Sequence, residues 1–135
     1  MKKLPLIFLI FAFLTFSFYG CKKSDNNSTP AVTVTVNLMN NATLGQYLVD
    51  KNGVSLYFYS DDYLGRNSCS GECENYWPYF YAGTLTQSNL ASGLKLSDFD
   101  TIHVGSAIQT RYKGWPLYYF SPNGNGVIES AGKIA

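Results

Sequence analysis

The sequence predicts a mainly β fold: one small antiparallel β domain built from two related hairpins about a pseudo-twofold, with a short helical turn near a cysteine pair. Three observations lead there. The stretch Gly53-Val54-Ser55-Leu56-Tyr57-Phe58-Tyr59-Ser60 returns as Gly114-Trp115-Pro116-Leu117-Tyr118-Tyr119-Phe120-Ser121, and two copies are too few for a solenoid, so they imply paired units around one core. Each copy follows a turn signal, Asp50-Lys51-Asn52-Gly53 and Lys113-Gly114, of the kind that closes hairpins. Elsewhere apolar and polar residues alternate with the period of a half-buried strand.

The chain of 135 residues has room for one domain with a modest core. Residues 1–20 read as a leader: Met1-Lys2-Lys3 is a basic start, Leu4 to Phe18 is an almost unbroken apolar run, and Gly20 ends it. A spanning helix needs about 20 apolar residues, more than this run offers. Cys21 directly after a small residue resembles a bacterial lipoprotein signal, although Phe18 and Tyr19 depart from the usual leucine and small residue. The resemblance implies lipidation at Cys21, with each buried methylene of the acyl chains contributing about 0.8 kcal/mol to membrane attachment. Lys22 stands where an inner-membrane retention signal would place Asp, so the expected location is the bacterial cell envelope, on the outer membrane, facing the periplasm or the cell surface. Losing Lys2 and Lys3 with the leader leaves eight basic against nine acidic side chains. That balance offers no basic face for a nucleic-acid partner.

Residues 21–30 form a polar, lipidated tether closed by Pro30, and residues 31–135 are the single β domain, with the repeats near 44–62 and 105–123. Ala31 to Leu38 alternates valine with threonine and predicts a strand broken by Asn40-Asn41. Tyr47-Leu48-Val49 forms one arm of the first hairpin and Val54 to Tyr59 the other, with Val54, Leu56 and Phe58 on one face and Ser55, Tyr57 and Tyr59 on the opposite one. Asp61 to Pro78 is a loop with one helical turn, which Ser70 is placed to cap. Tyr79 to Ala82 packs over the sheet, and Thr84 to Leu96 is loop with a weak short helix. Phe99 to Gln109 reads as a strand. Arg111-Tyr112 enters the second hairpin and Trp115 to Phe120 leaves it, with Pro116 marking an edge strand or a strand start.

Tyr57-Phe58-Tyr59-Ser60-Asp61-Asp62 and its companions resemble the bacterial secreted repeat, or predicted lipoprotein family with a Tyr-x-aromatic-x-x-Asp motif. The companions are Leu48 to Gly53, Cys69-Ser70-Gly71-Glu72-Cys73, Trp77-Pro78 and Tyr112 to Phe120. The second copy departs by placing Asn123 at the motif's acidic position. The resemblance implies a secreted or lipid-anchored β domain and brings no settled biochemical role.

Cys69 and Cys73, four apart in an oxidising compartment, read first as a disulfide, because one helical turn sets their Cα atoms about 6 Å apart. The alternative is a redox or copper-handling site formed by Cys69, Cys73 and His103, with Met39 as a soft extra ligand. A Cys-x-x-x-Cys pair with a distant histidine resembles the copper site of Sco-type assembly proteins, but those have a thioredoxin-like α/β fold with no counterpart here. Asp61, Asp62, Glu72 and Glu74 crowd one loop without a recognised cation-binding or acid-base spacing. Tyr57, Tyr59, Asp62, Trp77, Trp115, Tyr118 and Phe120 form the candidate binding surface: the rings are either the core itself or, if one face stays open, a platform for a glycan or an envelope protein. No nucleophile is flanked by an evident base and no phosphate-cradling loop follows a strand. The expectation is therefore a membrane-anchored, non-catalytic binding or structural module with no cofactor, copper being the alternative.

Overall fold

A computed structural model describes residues 34–134; the leader, Cys21, the tether and residues 31–33 lie outside that range. The first element is β1 (Val36–Asn41), which pairs antiparallel with β2 (Gly45–Asp50) in a two-stranded sheet. Of the strand expected at Ala31–Leu38, Val36–Leu38 lie in β1, which runs on to Asn41, and the asparagines do not break it. The Asn41 side-chain oxygen accepts the amides of Thr43 (2.8 Å) and Leu44 (3.0 Å), an Asx turn that reverses the chain.

The turn expected at Asp50–Gly53 is present. Gly53 donates to the Asp50 carbonyl (3.0 Å), Asp50 donates to Val54 (2.8 Å), and the Asp50 carboxylate accepts the amides of Asn52 (2.8 Å) and Val54 (2.9 Å). The arm after this turn is not a full return strand. Only Val54–Leu56 run beside β2, through a bridge from Val49 to Ser55, and β3 (Tyr57–Phe58) has already crossed to the second sheet. Val54, Ser55 and Leu56 are therefore all buried, whereas Phe58, expected on one face with Val54 and Leu56, is 48% exposed.

The second sheet has the order β3-β6-β5-β4. The stretch expected as one strand from Phe99 to Gln109 is two, β4 (Phe99–Val104) and β5 (Ala107–Tyr112), because Gly105 at φ 58° folds them into a hairpin. Lys113-Gly114, both at positive φ, then turn β5 into β6 (Trp115–Tyr118). An edge position for this last strand is not what the fold uses, since β6 lies between β3 and β5. Pro116 is tolerated there because β3 opposes only Leu117 and Tyr118, so no neighbouring strand residue lies where a Pro116 amide would point.

The loop between β3 and β4 carries α1 (Cys73–Tyr76). The Ser70 carbonyl, rather than the expected Ser70 hydroxyl, accepts the Cys73 amide at 3.3 Å, and no side chain caps this turn. Beyond it, Phe80 wedges between β5 and β6 where they diverge, donating to the Leu117 carbonyl (3.0 Å) and accepting from Thr110 (2.9 Å). A short 3-10 turn at Gln87–Asn89 is the weak helix expected in this region. Val36, Leu48, Leu56, Phe80, Leu90, Leu94 and Leu117 meet as one core between the two sheets. No helix among the described residues is long and apolar enough to cross a membrane.

Candidate functional site

The two repeats meet each other at the centre of the fold. Tyr57 and Tyr118, which hold the same place in the two copies, are direct partners across β3 and β6. Strand alternation then sorts the large sheet into two faces. Tyr57, Pro116, Tyr118, Arg111 and Gln109 point to one side. Phe58, Trp115, Leu117, Tyr112, Thr110 and Ile108 point to the other, in accord with their strand pairings.

On the first face Tyr118 is fully buried under a set of edge-on rings: Tyr79 at 5.9 Å, Tyr59 at 6.2 Å and Trp77 at 6.5 Å between centroids. Trp77 in turn meets Tyr57, Tyr59 and Phe120 at 5.9, 5.9 and 4.9 Å. The Tyr118 hydroxyl donates to Asp62 Oδ2 at 2.5 Å, and Asp62 Oδ1 accepts the Ser68 amide (2.7 Å) and hydroxyl (2.6 Å). Asp62 is itself 1% exposed. Burial, followed by this hydrogen bond, pushes the Tyr118 hydroxyl far above the ordinary phenol range. Tyr79 donates to the Cys69 carbonyl at 3.1 Å, and burial, then the Glu74 carboxylate, raises it to about 12. The Tyr57 hydroxyl donates to the Glu129 carboxylate.

This arrangement redistributes the expected binding surface. Tyr118 and Asp62 belong to the interior, Tyr57, Tyr59, Trp77 and Phe120 form their half-buried cover, and Trp115 lies on the opposite face against Phe58 at 6.1 Å. The rings pack on one another because a tyrosine whose hydroxyl has a carboxylate partner can be buried whole, which a two-sheet domain of this size needs to fill its interior. An open aromatic platform over both repeats is therefore not formed.

Cys69 and Cys73 are joined in a disulfide with their Cα atoms 5.3 Å apart, Cys69 being fully buried. His103 is exposed on β4 and pairs with Ile108, so its side chain faces away from the side on which Gln109 and Arg111 hold this loop. Those two hold it through Asn67, which donates to Gln109 Oε1 (2.7 Å), and Gly65, whose carbonyl accepts from Arg111 (2.9 Å). Met39 sits on β1 in the other sheet, accepting from the Tyr47 hydroxyl. The fold thus does not gather Cys69, Cys73 and His103, and among the described residues no three His, Cys, Asp or Glu side chains form a metal-holding group. Asp61, Glu72 and Glu74 are not buried whereas Asp62 is, so the acidic loop does not converge either.

The opposite face of the large sheet opens where the first hairpin leaves it. Phe58 and Tyr112 from that sheet and Leu38, Leu44, Leu48 and Leu56 from the hairpin side border a cleft of about 580 Å³, with Gln46, Ser55, Tyr47 and Tyr57 also in its lining beside Leu94 and Ile134. The cleft exists because β3 is only two residues long: the chain switches sheets at Leu56, and the Gly45–Tyr47 end of β2 is left without a neighbour from the return arm. Sequence reasoning missed it because the sheet switch is a tertiary event, hidden in a stretch that reads as one continuous alternating arm from Val54 to Tyr59. Searches with this chain match no family model, no curated protein and no solved structure.

Proposed function

We propose that the protein is a lipid-anchored module of the bacterial cell envelope, attached to the outer membrane through Cys21, that holds the apolar part of an envelope ligand without transforming it. The observation that supports binding is the cleft between the sheets. Its volume lies within the range of about 300–1,000 Å³ typical of small-ligand sites, and it shares their makeup of an apolar lining with few polar groups. Leu44, 63% exposed, and Phe58 stand at its rim in water, which leaves apolar area for a ligand to cover. The leader ending at Gly20-Cys21 and the polar tether at 22–30 support the anchor.

The test is titration of the full-length protein in mild detergent with a fluorescent long-chain fatty acid, beside the Leu44→Asp variant. Leu44 is at the rim and outside the core, so the variant folds, and the expected result is saturable binding weakened about tenfold or more by the new charge. Equal binding by both proteins, or none by either, overturns the cleft as the site. Incorporation of labelled palmitate that disappears in Cys21→Ala checks the anchor separately.

A further inference from the structure

Tyr118 is buried, bonded to a carboxylate, and connected to half-buried rings on three sides, an arrangement that neither the anchor nor the cleft uses. From this geometry we infer that the aromatic face is a one-electron redox site, in which peroxyl-type radicals reaching the surface are reduced and the oxidising equivalent comes to rest on Tyr118 with its proton on Asp62.

Oxidising a phenol at moderate potential requires that its proton leave with the electron, so the site of lowest potential is a tyrosine with a base already in place. Asp62 Oδ2 is that base at 2.5 Å. Ser68 holds the other oxygen through its amide and hydroxyl, and this leaves Oδ2 directed at the phenol. Tyr57 on the same face also has a carboxylate partner, Glu129, but is only half-buried, so among the described residues Tyr118 is the fully buried tyrosine with such a partner on this face. The electron route is equally definite: Tyr59, Trp77 and Tyr79 each lie within 6.5 Å of Tyr118, and each is half-buried and so reachable by a solution radical.

In the oxidising step the Tyr118 phenol loses one electron, which passes through a covering ring to the peroxyl radical. The phenol proton moves to Asp62, giving a neutral tyrosyl radical and a carboxylic acid. The reduced peroxyl takes a proton from water and leaves as a hydroperoxide. One electron returned by a small soluble reductant, such as ascorbate, restores the phenol as Asp62 gives the proton back. Complete burial of Tyr118 keeps the radical from coupling with a second molecule, whereas an exposed tyrosyl such as one on Tyr63 has no such protection.

The experiment is photochemical oxidation of the full-length protein with a ruthenium sensitiser and persulfate, followed by electron paramagnetic resonance. A persistent tyrosyl signal is expected, absent in Tyr118→Phe and formed at least ~100-fold more slowly in Asp62→Asn, which keeps the shape but removes the base. Circular dichroism of both variants establishes that they are folded, and Tyr59→Phe serves as a second probe that leaves Tyr118 and Asp62 intact. A signal of equal yield and lifetime in Tyr118→Phe, or formation unchanged in folded Asp62→Asn, overturns the assignment. So does a signal that decays as fast as that of free tyrosine.

Discussion

The aspartate of the motif is explained by a single hydrogen bond across the repeats. Asp62, in the first copy, receives the hydroxyl of Tyr118, in the second, and with Ser68 this satisfies a carboxylate that is otherwise shut away from water. Replacing Asp62 with alanine leaves the buried Tyr118 hydroxyl unpaired and removes both bonds to exposed Ser68, and the expected loss of stability is about 3 kcal/mol by chemical denaturation. Asp62→Asn, which still offers one oxygen, costs about 1 kcal/mol. The phenols give a second test at this scale. Burial and nearby carboxylates raise Tyr79 to about 12 and push Tyr118 and Tyr119 higher still. A raised folded-state value means that the native protein keeps protons the unfolded chain gives up. Their contribution is intact below the ordinary phenol value of about 10 and is lost as pH climbs from there toward about 12 and beyond. Ultraviolet titration should accordingly show these tyrosines ionising together with a cooperative alkaline unfolding step. Tyr118 is legible in the sequence as a repeat position. Its partner is not, because two residues this far apart in the chain become neighbours only when the strands pair.

At the level of elements, most of what was legible in the sequence has a local signal. The Asp50–Gly53 and Lys113-Gly114 turns, the Cys69–Cys73 bridge and the short turn of α1 all depend on residues within a few positions of each other. Three places escape such reading: β1, where the asparagines look like breakers although Asn41 builds the next turn; β3, where a continuous alternating pattern conceals a change of sheet; and the β4–β5 hairpin, where Gly105 passes for part of one strand. Opening the disulfide with the Cys69→Ala/Cys73→Ala pair frees only a short ring, so chain entropy sets the loss at about 2 kcal/mol, seen as a lower melting temperature with the β-sheet signal retained. Lys113 holds φ 50° ahead of Gly114 at φ 84°, the geometry in which asparagine is favoured and a longer side chain is not. Lys113→Asn should therefore raise the melting temperature, by an amount equivalent to about 0.5 kcal/mol.

For the molecule as a whole, the pseudo-twofold predicted from two similar octapeptides is realised in a form the sequence did not specify: the copies do not stand side by side but pair through their own equivalent tyrosines. That pairing exposes an asymmetry with a structural consequence. Asp62 serves Tyr118, and by symmetry Tyr57 would look to residue 123. That residue is Asn123, and the Tyr57 hydroxyl is met instead by the Glu129 carboxylate from beyond the repeat. The segment carrying Glu129 is fastened to the repeats at three further points: Glu129 donates to the Phe120 carbonyl (3.0 Å), Gly132 donates to that of Gly53 (3.1 Å), and Lys133 accepts from the Ser55 hydroxyl. Val127, Ala131 and Lys133 are exposed, so polar bonds rather than burial hold this strap, and its local stability should be well below that of the core. Glu129→Ala is expected to lower global stability by only about 1 kcal/mol. The same change should speed hydrogen exchange at the Glu129 and Gly132 amides far more than at Leu56 or Phe80, whose bonds lie in the core. Uniform acceleration at all four amides would instead mean that the strap and the sheets open as one unit, and that the acid supplied from outside the repeat is as integral to the fold as Asp62.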